Sequence, residues 1–111
     1  EAGVISACSF GPALIINGKP VQLSSSGVNP RTAIGQRADG AILLLTLAGR
    51  QIDCIGATLA DLTEILYAYG AVNATNLDGG SSTMMYYKGE RQIKSSSLVG
   101  ERFLPTAIIV R

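Results

Sequence analysis

Residues 58–83, TLADLTEILYAYGAVNATNLDGGSST, hold a helix, a strand and a glycine loop in immediate succession. Thr58 and Asp61 match a capping box, with Asp in place of the usual Glu or Gln. Leu59, Leu62, Leu66 and Tyr69 fall at i, i+3, i+7 and i+10 and share one helical face, with Ile65 beside it. Gly70 is a natural stop just past the helix end. The spacing predicts one main helix over about 58–69, and Ala71 to Leu77 then re-enters a sheet. Asp61 and Glu64 lie in the first two turns, where capping and the positive helix end explain them better than catalysis does.

Strand signals surround this unit. Ser9 to Ile16 leads into Asn17-Gly18, a strong hairpin signal, with Lys19 to Leu23 as partner strand. Ser24 to Gly27 reads as a polar loop, and Asn29-Pro30 opens a turn. Arg31 to Gln36, Ala41 to Leu47 and Gln51 to Ile55 read as a three-strand meander, turning at Asp39-Gly40 and Ala48-Gly49-Arg50. Ala41 to Leu47 is almost wholly apolar, as expected of a central strand buried on both faces. Met84 to Tyr87 is a short strand, Lys88-Gly89-Glu90 a turn, 91–102 a surface loop, and Thr106 to Val110 a closing strand. The expected fold is α/β of the α+β type: a mixed, mostly antiparallel sheet with one main helix.

Composition narrows the function. The chain has 111 residues, enough for one domain and not two. It is 47% hydrophobic and 15% charged, against about 25% charged in ordinary domains. Its longest apolar run, Ala41 to Ala48, is far short of the roughly 20 residues of a membrane span. Two explanations of the apolar excess stand: strands buried on both faces, or a piece of a larger domain with a face that meets the rest. A start at Glu1, with neither Met nor a signal peptide, fits the second. Net charge is +1, with Lys88, Arg91 and Lys94 scattered among polar residues, so nucleic acid is not an expected partner. Cys8 and Cys54 lack metal-ligand spacing; buried free thiols are the default, and a disulfide stays open. There is no histidine, which excludes Ser-His-Asp and Cys-His catalysis and His-based zinc sites within this chain. Acid–base chemistry must come from Asp, Glu, Lys, Tyr or Cys.

Two segments can carry chemistry. Asp78 stands at the end of a strand and is followed by Gly79, Gly80, Ser81, Ser82 and Thr83. Glycines let the backbone approach a ligand, successive N–H groups can cradle an anion, and hydroxyls add donors. The alternative is a turn of small residues. The loop is not a P-loop, because Ser81 stands where the lysine should, and neither G-x-S-x-G nor G-x-G-x-x-G occurs. The second segment is Asn29-Pro30-Arg31-Thr32-Ala33-Ile34-Gly35. An arginine at a strand start can grip a phosphate with two N–H groups; the alternative is an internal ion pair. Together the two segments suggest a phosphorylated or acidic substrate without naming a reaction.

These motifs, in this order, resemble the phosphodiester glycosidase family over almost the whole chain. Ser9-Phe10-Gly11-Pro12 with Asn17-Gly18-Lys19 is similar to the family's strand and hairpin, Asn29 to Gly35 to its Asn-Pro-Arg-Thr-Ala-Ile-Gly signature, and Gly56-Ala57-Thr58-Leu59 to its central helix. Asn76 to Met84 is similar to its Asn-Leu-Asp-Gly-Gly signature, and Glu101-Arg102 to a late Glu-Arg pair. Members often carry a third glycine where Ser81 stands, and Pro-Val where Phe103-Leu104-Pro105 stands. The family domain also has an N-terminal half with no counterpart here, so 1–111 is expected to be a single domain or the C-terminal portion of one.

The resemblance implies hydrolysis of a sugar-1-phosphodiester, N-acetylglucosamine-1-phosphodiester-like, on phosphorylated envelope or exopolysaccharide glycans. It implies a bacterial, extracytoplasmic setting, secreted or in the cell envelope. The expected catalytic residues are Asp78, facing the sugar, and Arg31, on the phosphate. The expected substrate-binding residues are Asn29, Thr32, Gly79, Gly80, Ser81, Ser82, Thr83 and Arg102. Arg37 suits a surface turn better, and Glu101 suits an ion pair better than a second catalytic carboxylate. No cofactor is evident; a divalent cation could be recruited by carboxylates and phosphate, but no ligand set is visible. A non-catalytic module binding phosphorylated glycan, and a half-domain that pairs with itself or with a missing N-terminal half, are the competing readings.

Overall fold

The computed structural model describes residues 3–111. Its centre is a five-stranded sheet in the order β2-β1-β5-β3-β4, with every pairing antiparallel. The strands are β1 (Ala13–Ile16), β2 (Lys19–Pro20), β3 (Arg31–Arg37), β4 (Ile42–Leu47) and β5 (Ala71–Leu77). A separate two-stranded hairpin joins β6 (Tyr86–Tyr87) to β7 (Glu90–Arg91). The expected α+β class and mostly antiparallel sheet are what the chain adopts.

Helix α1 (Leu59–Ala68) forms as its sequence predicts. The Thr58 side chain accepts from the Asp61 N–H at 3.1 Å, and the Asp61 carboxylate accepts from the Thr58 N–H at 2.7 Å. The Leu59 N–H, another donor that a helix start leaves unpaired, donates to Ser26 Oγ at 2.9 Å. This bond fastens the serine loop to the helix. α1 lays Leu62 and Leu66 on one face of the sheet, against Leu14, Ile15, Ala33, Ala71 and Ala74. Gly35 lies tight against β5, where a Cβ would meet Ala71 Cβ and the Asn73 carbonyl oxygen at 3.3 Å. Tyr69 leaves the predicted apolar stripe: it is the C-cap and is 68% exposed, because the helix has already ended where its face would continue.

Several strands differ from expectation. β5, not the apolar run in β4, is the central strand. β4 is an edge strand whose Leu43, Leu45 and Leu47 pack on the core side, while Ile42 and Leu44 face outward and exposed. The run is apolar on both faces, but α1 covers only one. Gln51 to Ile55 is not a strand. Gln51 and Cys54 exchange backbone bonds of 2.9 and 3.2 Å, so the segment closes on itself as a tight turn. Residues 9–12 and 21–23 lie outside β1 and β2, and 84–85 lie outside β6. Thr106 to Val110 forms no strand, because neither sheet edge among the described residues pairs with it; Ile109 and Val110 are exposed. The two hairpin signals hold, with Asn17 and Gly18 both at positive φ and Gly40 closing the β3–β4 turn. Among the described residues both cysteines are free thiols, and Cys8 is exposed rather than buried.

Candidate active site

The two motif segments meet at the open end of β3 and β5. The antiparallel register pairs Ala33 with Asn76 and Thr32 with Leu77. Carried one residue further, it sets Asp78 opposite Arg31. Beyond the strands the contact continues through backbone. The Gly80 N–H donates to the Pro30 carbonyl at 2.8 Å, and Gly79 lies so close that a Cβ there would sit 2.7 Å from the Pro30 oxygen. Pro30 itself is fully buried. From its other side comes Gly56, at φ 116, where a Cβ would meet the Asn29 carbonyl carbon at 2.5 Å. Asn29 and Ala57 exchange N–H···O bonds of 3.1 and 3.0 Å across this contact. Glycine is required at both positions, since any side chain would force these backbones apart.

Arg31 is held by backbone carbonyls and not by an acid. Its Nε donates to Ala57 at 3.0 Å and its Nη2 to Gly27 at 2.7 Å. No carboxylate stands within ion-pair distance of it among the described residues. The internal ion pair weighed against its phosphate role is therefore absent from this arrangement, and the guanidinium charge is not neutralised. Its remaining N–H groups are uncommitted. Asp78 is exposed, and no hydrogen bond or ion pair to its side chain occurs among the described residues. A lone carboxylate and an un-neutralised guanidinium thus sit in neighbouring register.

The glycine loop is a single 3-10 turn over Gly80–Ser82. Its Gly80 N–H is already committed to Pro30, so the run of free N–H groups expected for an anion cradle is shortened. Ser81 is half-buried, while Ser82 and Thr83 are buried at 7% and 3% exposure. Among the described residues, the hydroxyl oxygens of Ser82, Thr83 and Thr32 have no hydrogen-bond partner, and neither has Asn76 Oδ1. Buried polar atoms are rarely left so. Asn76 is tethered by its Nδ2, which donates to Gly11 at 3.0 Å.

The other expected residues divide clearly. Asn29 accepts a 2.9 Å bond from Arg50 Nη2, so it positions Arg50 and not Arg31. Sequence reasoning did not single out Arg50; its position after Gly49, in a turn leading back toward the Asn29 segment, was the only signal. Arg102 is exposed, with no hydrogen bond or ion pair among the described residues. Glu101 pairs with Arg91, whose Nε also donates to Ile93, so this acid braces the C-terminal stretch. Arg37 pairs with Asp39 at 3.1 Å on the exposed β3–β4 turn. Among the described residues no cluster of three or more His, Cys, Asp or Glu side chains could hold a metal ion. No helix among them is long and apolar enough to cross a membrane.

Comparison with known proteins gives this geometry a family. Residues 1–111 match the family described as phosphodiester glycosidase. An SPbeta prophage-derived uncharacterized protein of Bacillus subtilis is 33% identical over 94 residues, covering 79% of this chain and 15% of that protein. The N-acetylglucosamine-1-phosphodiester alpha-N-acetylglucosaminidase of Bos taurus is 37% identical over 62 residues, covering 56% of this chain and 12% of the enzyme. A putative exported protein from Burkholderia pseudomallei has a similar structure, with TM-score 0.64 and 41% identity over 68% of this chain and 14% of its own. The chain thus spans less than a fifth of each of these relatives. The match over its full length means that the chain belongs to the phosphodiester glycosidase family, a family of hydrolases.

Proposed function

We propose that this chain contributes the acid and a phosphate-gripping arginine to a site that hydrolyses sugar-1-phosphodiesters. The observation that carries this reading is that Asp78 and Arg31 flank the terminal Thr32–Leu77 pair of the central strands, both without a charge partner among the described residues. Water adds its OH to the anomeric carbon, and the bond from that carbon to the phosphodiester oxygen breaks. The bonding electrons leave on that oxygen, and the water's second proton balances the phosphate monoester released. A phosphate monoester leaves far more readily than a sugar alcohol, which lowers the demand for a strong general acid and suits a chain without histidine.

Asp78 faces the sugar and supports the positive charge developing at the anomeric carbon, as nucleophile, base or electrostatic partner. Arg31 holds the phosphate and offsets its growing charge; one such fixed donor is worth about 2.7–4 kcal/mol. Ser81 and the unpartnered hydroxyls of Thr32, Ser82 and Thr83 complete the polar lining, with Gly79 and Gly80 shaping the loop. Arg102 is a candidate only if the C-terminal stretch turns toward the loop. The bovine relative's name supports an N-acetylglucosamine-1-phosphodiester substrate, and the exported relative supports an extracytoplasmic setting; envelope or exopolysaccharide glycans are the substrates this reading proposes there. In a second reading, the chain is the C-terminal portion of a domain whose site needs further residues. The outward-facing Ile42 and Leu44 favour it.

The test is release of N-acetylglucosamine from UDP-N-acetylglucosamine by this chain, and by a longer polypeptide that contains it. Asp78→Asn is expected to lower turnover about 100-fold or more. Activity in the longer form alone would favour the second reading. Turnover unchanged by Asp78→Asn would remove the acid from the chemistry, and binding without turnover would leave a glycan-binding module.

A further inference from the structure

Arg50 is a cation that the fold brings to the motif junction without any signature pointing to it. It sits at φ 56, a left-handed backbone that a side-chain-bearing residue seldom adopts. Its backbone N–H donates to Ile55 at 3.2 Å, which closes the turn in that conformation. Its side chain then reaches both motifs at once. Nη2 donates to Asn29 Oδ1 at 2.9 Å. Both terminal nitrogens lie 3.5 Å from where a Cβ on Gly80 would be, so the guanidinium lies against the backbone of the glycine loop. No carboxylate neutralises it within ion-pair distance among the described residues. An unfavourable backbone and a dedicated amide acceptor together hold an exposed, un-neutralised guanidinium at one place.

We propose that Arg50 is a second phosphate-binding residue of this site, and that it sets the preference for a charged phosphodiester over a neutral leaving group. The proposal rests on the function argued above. Arg31 spends Nε and one Nη2 hydrogen on the Ala57 and Gly27 carbonyls, so its fork is only partly free. Arg50 commits one Nη2 hydrogen, to Asn29; its other Nη2 hydrogen still makes a parallel pair with Nε–H or with Nη1–H for two non-bridging phosphate oxygens. Asn29 is the positioning residue for Arg50. Its amide oxygen restricts the long side chain and so lowers the ordering cost of gripping the anion.

The experiment compares two substrates in wild type, Arg50→Asn and Arg50→Lys. They are UDP-N-acetylglucosamine and the neutral aryl glycoside 4-nitrophenyl N-acetyl-alpha-glucosaminide. Asn tolerates the left-handed backbone, so Arg50→Asn keeps the turn; an unchanged unfolding midpoint checks this. Arg50→Asn is expected to lower kcat/KM for the phosphodiester about tenfold or more, with the aryl glycoside changed less than about threefold. Arg50→Lys, with charge but no fork, should fall between, and Asn29→Ala should show a smaller loss of the same selectivity. Equal losses on both substrates, or none on either, would overturn the proposal. Should wild type cleave neither substrate, as this chain and as the longer polypeptide that contains it, the hydrolase reading fails, and titration with UDP-N-acetylglucosamine decides separately for Arg50. Saturable binding weakened about tenfold by Arg50→Asn supports it, and equal or absent binding refutes it.

Discussion

The junction between the motifs separates residues that shape the site from residues free to act in it. Gly79 belongs to the first kind, because its backbone is pressed onto Pro30. Gly79→Ala would place a methyl carbon 2.7 Å from a backbone oxygen that cannot rotate away. The expected cost is about 1–3 kcal/mol, as for other overpacked sites, read as a lower denaturant midpoint. Asp78 belongs to the second kind. It is exposed and its side chain makes no hydrogen bond or ion pair among the described residues, so Asp78→Asn should change stability by no more than about 0.5 kcal/mol while its effect on turnover is large. A substantially destabilised Asp78→Asn would mean that the carboxylate holds the loop instead. Both residues stand out in the sequence as parts of one motif. That one shapes and the other is free was not legible there, because this depends on how near a second backbone lies.

The helix is the element most completely written in its own residues. Its cap, stripe and stop are local, requiring only spacing and side-chain chemistry within about a dozen positions. The Asp61 carboxyl is held below the usual carboxylate range, first by the Thr58 N–H and then by the Thr58 hydroxyl. A lowered folded-state value means that the cap's contribution is present above about pH 4 and is lost as pH falls through that folded value. Asp61→Asn should therefore flatten the decline in stability on acidification, and thermal midpoints followed from about pH 6 to about pH 3 would show it. Thr58→Ala removes the other half of the cap and should cost about 1 kcal/mol at neutral pH. The strands were less legible. β4 read as central because both of its faces are apolar, yet strand order rests on partners far away in the chain. The 51–55 segment read as extended because its composition suits a strand, while backbone bonds between Gln51 and Cys54 fold it into a turn.

At the scale of the molecule, the sheet has one covered face and one partly open face. α1 and the core occupy the first. On the second, Met85 reaches Thr46 at 3.8 Å beyond the glycine loop, but Ile42 and Leu44 remain exposed. An apolar surface of this kind favours association. The chain is expected to elute from gel filtration with a concentration-dependent size, and Ile42→Lys combined with Leu44→Lys should shift it toward the monomer. A clean monomer at all concentrations would show that the face tolerates water. The apolar excess in the composition foreshadowed such a surface, but composition has no direction and could not say which face is bare.

Composition and spacing by themselves determined the helix and its cap, the hairpin turns, the α+β class, the two motif segments and the exclusion of histidine chemistry. All of these depend on residues near one another in the chain. Only the tertiary structure decided that β5 lies at the centre and that Asp78 and Arg31 flank the terminal Thr32–Leu77 pair. It alone decided that the Gly80 N–H is consumed by Pro30 and that Arg50 donates to Asn29. These facts are contacts between segments some 20 to 60 positions apart. Their energies depend on backbone approach and hydrogen-bond geometry, which no local pattern of residue types specifies.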